Sequence, residues 1–241
     1  MNELEILDQW LGRLKQEVAD LALDERVFWR VQEIIEHNKE LHVPSEFYGW
    51  LGRMYVAGMS MAIRRQVDDD PRTESFVRFL TRVKGSVGTF SRARYRGLYQ
   101  DTQLREVADE AYDRLAGRGA QCLSNLRIDR QIGALKRLSR NITAYADKVV
   151  AHQDRTPPSA VPKFREVGRV IRCLEILVQR YFQLFRAVHW DPRVTIAYDW
   201  EAPFRIAWIV PGNRLPNTRL HPTAPRGRFR HSPLRSLRRR G

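Results

Sequence analysis

Residues 164–188 read FREVGRVIRCLEILVQRYFQLFRAV, and this stretch decides the fold. Phe164, Val167, Ile171, Leu174, Val178, Tyr181, Phe185 and Val188 recur at alternating steps of three and four. On a helix of 3.6 residues per turn that spacing makes one continuous apolar stripe, with Arg165, Glu166, Arg169 and Arg172 off it. A stripe of about seven turns must be buried against other elements, and the rest of the chain supplies similar partners. Leu4, Leu7, Leu11, Leu14, Val18 and Leu21 repeat the pattern near the start.

Working outward, proline marks the joints. None occurs in 1–43 or 72–156, whereas Pro44, Pro71, Pro157, Pro158 and Pro162 stand where helices would meet. Proline inside a helix costs about 3 kcal/mol, so its absence permits long helices. Asp24 is a candidate N-cap for a second helix carrying Phe28, Val31 and Ile35. Ser45 caps a third, with Leu51, Met54, Gly58 and Met61 on one face. Pro71 opens a fourth, with Phe76, Phe79, Leu80 and Val83 inside. Gly85, Gly88 and Gly97 loosen the next stretch into a loop or short helix. A helix is expected over 102–117, and a longer one over about 120–152, with Leu135, Leu138, Ile142, Tyr145 and Val149 inward. Two β-prone runs, Val194–Tyr198 and Phe204–Val210, offer a short C-terminal hairpin. The expectation is an all-α, antiparallel helical bundle. Its parts are N-terminal helices over 1–40 packed on the bundle, a helical domain over 41–213, and a disordered basic tail over 214–241.

Charge is unevenly spread. The net +14 divides into −6 over 1–50, +11 over 51–213 and +9 over 214–241, and 36 of the 42 basic residues are Arg. The tail holds four prolines and no acidic residue. It reads either as a basic arm for nucleic acid or as an accidental extension, since NTRLHPTAP resembles the product of a frame running into a repeated intergenic element. Two cysteines exclude a disulfide framework. No apolar run is long enough to span a bilayer and the start lacks a signal-peptide pattern, so a cytoplasmic protein without membrane attachment is expected. Nucleotide-binding loops, HExxH and GxSxG are missing, and no His has a second His or Cys at i+3 or i+4. No cofactor and no metal are expected.

Two segments carry candidate chemistry. Arg92-Ala93-Arg94-Tyr95-Arg96-Gly97-Leu98-Tyr99 alternates cations with aromatics, which suits single-stranded RNA or a loop whose tyrosines dock on the bundle. The second is Arg140 to Asp154, where His152 lies on or beside the buried stripe with Asp147, Lys148 and Asp154 around it in sequence. A His that changes charge near neutral pH, beside acid and base neighbours, suits proton transfer; a packed or capping His is the other reading.

Asp147-Lys148-Val149-Val150-Ala151-His152-Gln153-Asp154 resembles the DK-x-x-AH-x-D signature of AbiU-like HEPN domains. Phe47-Tyr48 and the helix end Ala62-Ile63-Arg64-Arg65-Gln66-Val67-Asp68 match a second, upstream pattern of that group. The resemblance covers roughly 40–190. It implies a helical bundle that pairs as a homodimer, bringing two Arg-polar-x(3–5)-His motifs together in a cleft that cuts RNA without metal. It also implies a defence or toxin-like role, with an antitoxin protein as a partner. Carried over by position, His152 is the motif His and Asp147 the polar residue. The motif Arg falls on Ala146, and Ala146→Arg is the change that would restore the pattern. The remaining sources of positive charge are Lys148, Arg140, and Arg64 or Arg65 from another helix, with Asp154 beside them. For Arg64 and Arg65 the plain alternative is i,i+4 pairing with Asp68 and Asp69. The alternative function is an inactive HEPN-like module that binds RNA or a partner protein, and a purely structural helical protein is the third reading.

Overall fold

A computed structural model describes residues 2–99, 101, 104–151, 161–191 and 199–206. The chain divides into two compact units, residues 1–195 and 196–241. Seven α-helices are described, all in the first unit: α1 (Glu3–His37), α2 (Glu46–Val67), α3 (Phe76–Gly85), α4 (Arg92–Gly97), α5 (Arg105–Ala116), α6 (Asn125–Tyr145) and α7 (Phe164–Arg186). A π-helical turn, Ala146–Ala151, continues α6. The protein is an all-α bundle, and no strand occurs among the described residues.

The quoted stretch is the centre of the bundle. Val167, Ile171, Leu174, Val178, Tyr181 and Phe185 of α7 are all buried, as its spacing requires. Helix α1 lies antiparallel along it: Asp8 of α1 accepts from Arg186 at 2.8 Å, while Phe28 packs on Phe164, ring centroids 5.2 Å apart. Helix α6 runs antiparallel on another side, joined through Tyr181 Oη to Gln131 at 2.7 Å and through Asn141 to Glu166 at 3.2 Å. Helix α2 is antiparallel to α6, with Lys136 of α6 donating to Asp69, just past the end of α2, at 2.7 Å. Trp10, Phe76, Phe79, Tyr181 and Phe185 form one edge-to-face and tilted aromatic cluster between α1, α3 and α7. Burial of such side chains, at about 1.5–3 kcal/mol each, is what holds the layers together.

Local signals account for most helix starts. Asn2 and Glu5 form a capping box at α1. Ser45, Ser75 and Ser91 accept from the first-turn N–H groups of α2, α3 and α4. Several details differ from the sequence expectation. Leu138 and Val188, expected on buried stripes, are 41% and 51% exposed. Asp24 starts no new helix; α1 runs through it for 35 residues, because Leu21, Ala22 and Phe28 keep one buried face. Pro71 sits in a turn and Ser75 caps α3 instead. Helix α2 buries Tyr55, Val56, Met59 and Ile63 rather than the face of Met54, which is half exposed. Phe204 lies in a 3₁₀ turn, Ala202–Arg205, which removes the start of the weaker strand. The Val194–Tyr198 run and the tail from 214 lie outside the described residues.

Candidate functional site

The site is built where α6 ends. The apolar stripe of α6 buries Leu135, Ile142 and then Ala146, which has no exposed surface. At Ala146 the backbone changes from i→i+4 to i→i+5 hydrogen bonding. The wider turn shifts the phase of everything after it. Val149, expected inward at four residues from Tyr145, lies on this turn and is 43% exposed. Single π turns inside α-helices often mark functional positions, since they re-aim side chains without ending the helix.

Asp147 is the first residue that the turn re-aims. Its Oδ1 accepts a hydrogen bond from Nε of Arg64, 83 residues away on α2. Asp68, one turn further along α2, stands on the other side of the same guanidinium, with Nη1 to Oδ2 at 3.6 Å. The hydrogen bond that Arg64 donates to Asp147 is the main cause raising the Arg64 pKa; partial burial opposes it and the charges of Asp147 and Asp68 add to it. Arg64 therefore stays cationic in a carboxylate fork. Its side chain is 38% exposed and that of Asp147 49%, so the pair lies at the surface within reach of a solute. A guanidinium has five N–H donors, and the two carboxylates occupy only part of them.

The other expected site residues separate. Arg65 points to solvent, and its expected partner Asp69 pairs with Lys136 instead, at 2.7 Å. Lys136 holds the Asp69 carboxyl below its usual range. Arg140 is exposed on α6 and makes no ion pair among the described residues, so the helix does not break to carry it toward position 147. Lys148 is half exposed on the π turn. His152 and Asp154 lie outside the described residues. Ala146, the position of the motif Arg, is sealed in the core, so a guanidinium there would have no route to the surface pair.

The cation–aromatic segment turns out to be structural. Tyr95 is fully buried and packs at a tilt against Tyr112, centroids 5.5 Å apart. Arg92 bridges Asp109 and Asp113 of α5, donates to the carbonyl of Ala120 at 3.0 Å and lies over the Tyr112 ring. Arg96 pairs with Asp109. Arg94 donates to the carbonyls of Leu184 and Phe185, and burial lowers its pKa. These cations tie α4 to α5 and to the end of α7, with Arg92 and Arg94 largely covered and Arg96 half exposed beside Asp109.

Among the described residues no cluster of His, Cys, Asp or Glu could hold a metal ion, and no helix is long and apolar enough to cross a membrane. The family model HEPN_AbiU2, described as AbiU2, matches residues 4–202, so the chain belongs to that family. No curated protein and no solved structure matches it.

Proposed function

We propose that this member of the AbiU2 family is a cytoplasmic abortive-infection or toxin-like protein that works as a homodimer and cuts RNA without metal. The observation that carries the reading is the Arg64–Asp147 pair. The family motif asks for an arginine beside the polar residue. Here position 146 is Ala, but α2 delivers a guanidinium to the neighbouring residue from outside the motif. Arg64 thus stands in for the missing side chain in space though not in sequence. In the proposed reaction His152 takes the proton of a ribose 2′-OH. The alkoxide attacks phosphorus, the bond from phosphorus to the 5′-oxygen breaks, that oxygen takes the proton back from the His152 imidazolium, and a 2′,3′-cyclic phosphate remains. Arg64 and Lys148 stabilise the charge that builds on the phosphate oxygens, Arg64 with a planar fork and Lys148 as a point charge. Asp147 holds the Arg64 fork in place.

The test combines induction in bacterial cells with a purified assay. The wild-type protein is expected to arrest growth and cleave RNA in the presence of a chelator, leaving cyclic phosphate ends. His152→Ala should abolish both, and Arg64→Ala should reduce cleavage by about 10²-fold or more, as for loss of one charge-stabilising donor. Arg65→Ala, lacking a place in the pair, should cleave like wild type. Inert wild-type protein, together with a growth phenotype unchanged by His152→Ala, would replace this reading with a non-catalytic module that binds RNA or a partner. Light scattering should give a dimer; a strict monomer would leave no composite cleft.

A further inference from the structure

A second feature of α6 and α7 lies away from the π turn. The first two-thirds of α6 and the middle of α7 enclose an open groove of about 760 Å³. Its apolar surface includes Leu126, Leu138 and Ile176, which are 59%, 41% and 49% exposed. Single exposed aliphatics are ordinary, but three gathered in one depression mark an interaction surface. Ala134 and Cys173 also line it, and their small side chains leave the depression open.

The groove is also cationic. Arg127, Arg130, Arg169, Arg172 and Arg180 line it. Of these, Arg172 alone has a carboxylate partner among the described residues, Glu175 at 2.9 Å. Arg180 is half buried; desolvation lowers its pKa and the nearby charge of Arg127 lowers it further. Gathering unpaired cations around exposed aliphatics costs stability in the free protein, and an occupant that is both acidic and apolar relieves both costs.

We propose that this groove docks an acidic, amphipathic helix of a protein partner. The dimensions suit one: Leu126 to Leu138 spans twelve residues of α6, about 18 Å at the rise of a helix, or three to four turns of a bound helix. Leucine-type side chains at i, i+3/i+4 and i+7 would meet Leu126, Leu138 and Ile176, and flanking Glu or Asp would meet the arginines. Single-stranded nucleic acid fits less well, since no Phe, Tyr or Trp among the described residues lines the groove to stack a base. The chain's own C-terminal segment has the wrong sign, with nine Arg and no acidic residue over 214–241. Its own acidic helix, α1, already commits Leu7, Leu11, Leu14 and Val18 to the core. The proposal does not depend on RNA cleavage, because the groove lies on a different stretch of α6 from Asp147.

The experiment uses the full chain and a dye-labelled, helix-stapled peptide of about 14 residues, long enough to fill the groove. The peptide carries Leu along one face and Glu on the other. Controls are a peptide of the same composition with Leu and Glu permuted, and a labelled single-stranded RNA. By fluorescence anisotropy at physiological salt, the patterned peptide should bind about tenfold or more tightly than the permuted one, a difference of about 1.4 kcal/mol. Arg130→Glu combined with Arg169→Glu, both exposed positions, and separately Ile176→Glu, should each lose that advantage while keeping wild-type helicity and thermal midpoint. RNA cleavage by these variants should match wild type, whatever its level. Equal binding of both peptides, or of neither, overturns the proposal. So does tighter binding of RNA with the same variant losses, which would make the groove a nucleic-acid site. Loss of a homodimer in the variants by light scattering would instead assign the groove to a second copy.

Discussion

Introducing the family's arginine at its usual place should destabilise this protein rather than activate it. Ala146 has no exposed surface and sits at the first position of the π turn, between the end of α6 and the Asp147 pair. Ala146→Arg must place the whole side chain beyond Cβ inside packed core. Overpacking of that kind costs about 1–3 kcal/mol. A guanidinium that cannot reach water or a carboxylate adds several more, since an unpaired buried charge is the larger penalty. The sum is about 4–6 kcal/mol, against a total stability of about 5–15 kcal/mol for a domain. At about 2–4 °C per kcal/mol for a unit of this size, the midpoint should fall by about 10–20 °C. Ala146→Ser, which adds one polar atom, should cost far less, about 1–2 kcal/mol. Differential scanning calorimetry with circular dichroism measures both. An Ala146→Arg protein that melts within a few degrees of wild type and cleaves RNA faster would show that the turn opens to admit the side chain. The inference that Arg64 has taken over the position would then fail.

Two further expectations address charge. Arg92→Met should lower the thermal midpoint more than Arg96→Met, because Arg92 is 11% exposed and bridges Asp109, Asp113 and the Ala120 carbonyl while Arg96 is 48% exposed; neither change should weaken RNA binding, and a loss of RNA affinity without a loss of stability would restore the segment as an RNA contact. Burial raises the pKa of Glu25 and the charge of Glu175 raises it further, with Arg172 opposing. The folded state therefore holds this proton more tightly than the unfolded chain, so the group destabilises at neutral pH, and the loss is recovered as pH falls through its folded pKa toward the ordinary 4.5. Glu25→Gln should raise the midpoint at pH 7 and flatten its dependence on pH above 4.5; an unchanged slope in pH-dependent melting would contradict the burial argument.

The periodic stripes, the serine caps and the absence of proline from 72–156 determined the all-α bundle and the position of α7 within it. These signals are local: a stripe states which face is buried, and a cap states where a helix begins. The DK-x-x-AH-x-D phrase carried the family resemblance, and the chain does belong to that family. Which face of α2 turned inward was less legible, because Met54 and Tyr55 lie on adjoining faces of a helix apolar on most sides. The phase change at Ala146 left no mark in composition, since a π turn differs from an α turn in hydrogen-bond register rather than in residue type. Arg64 and Asp147 are 83 residues apart, and only the antiparallel packing of α2 on α6 brings them together. The same holds for the arginine groove: five cations spread over two helices read as solvated faces in sequence, and the α6–α7 crossing makes them one surface. A one-dimensional pattern specifies what each helix must bury, whereas the partner of each exposed charge is set by how the buried faces dock.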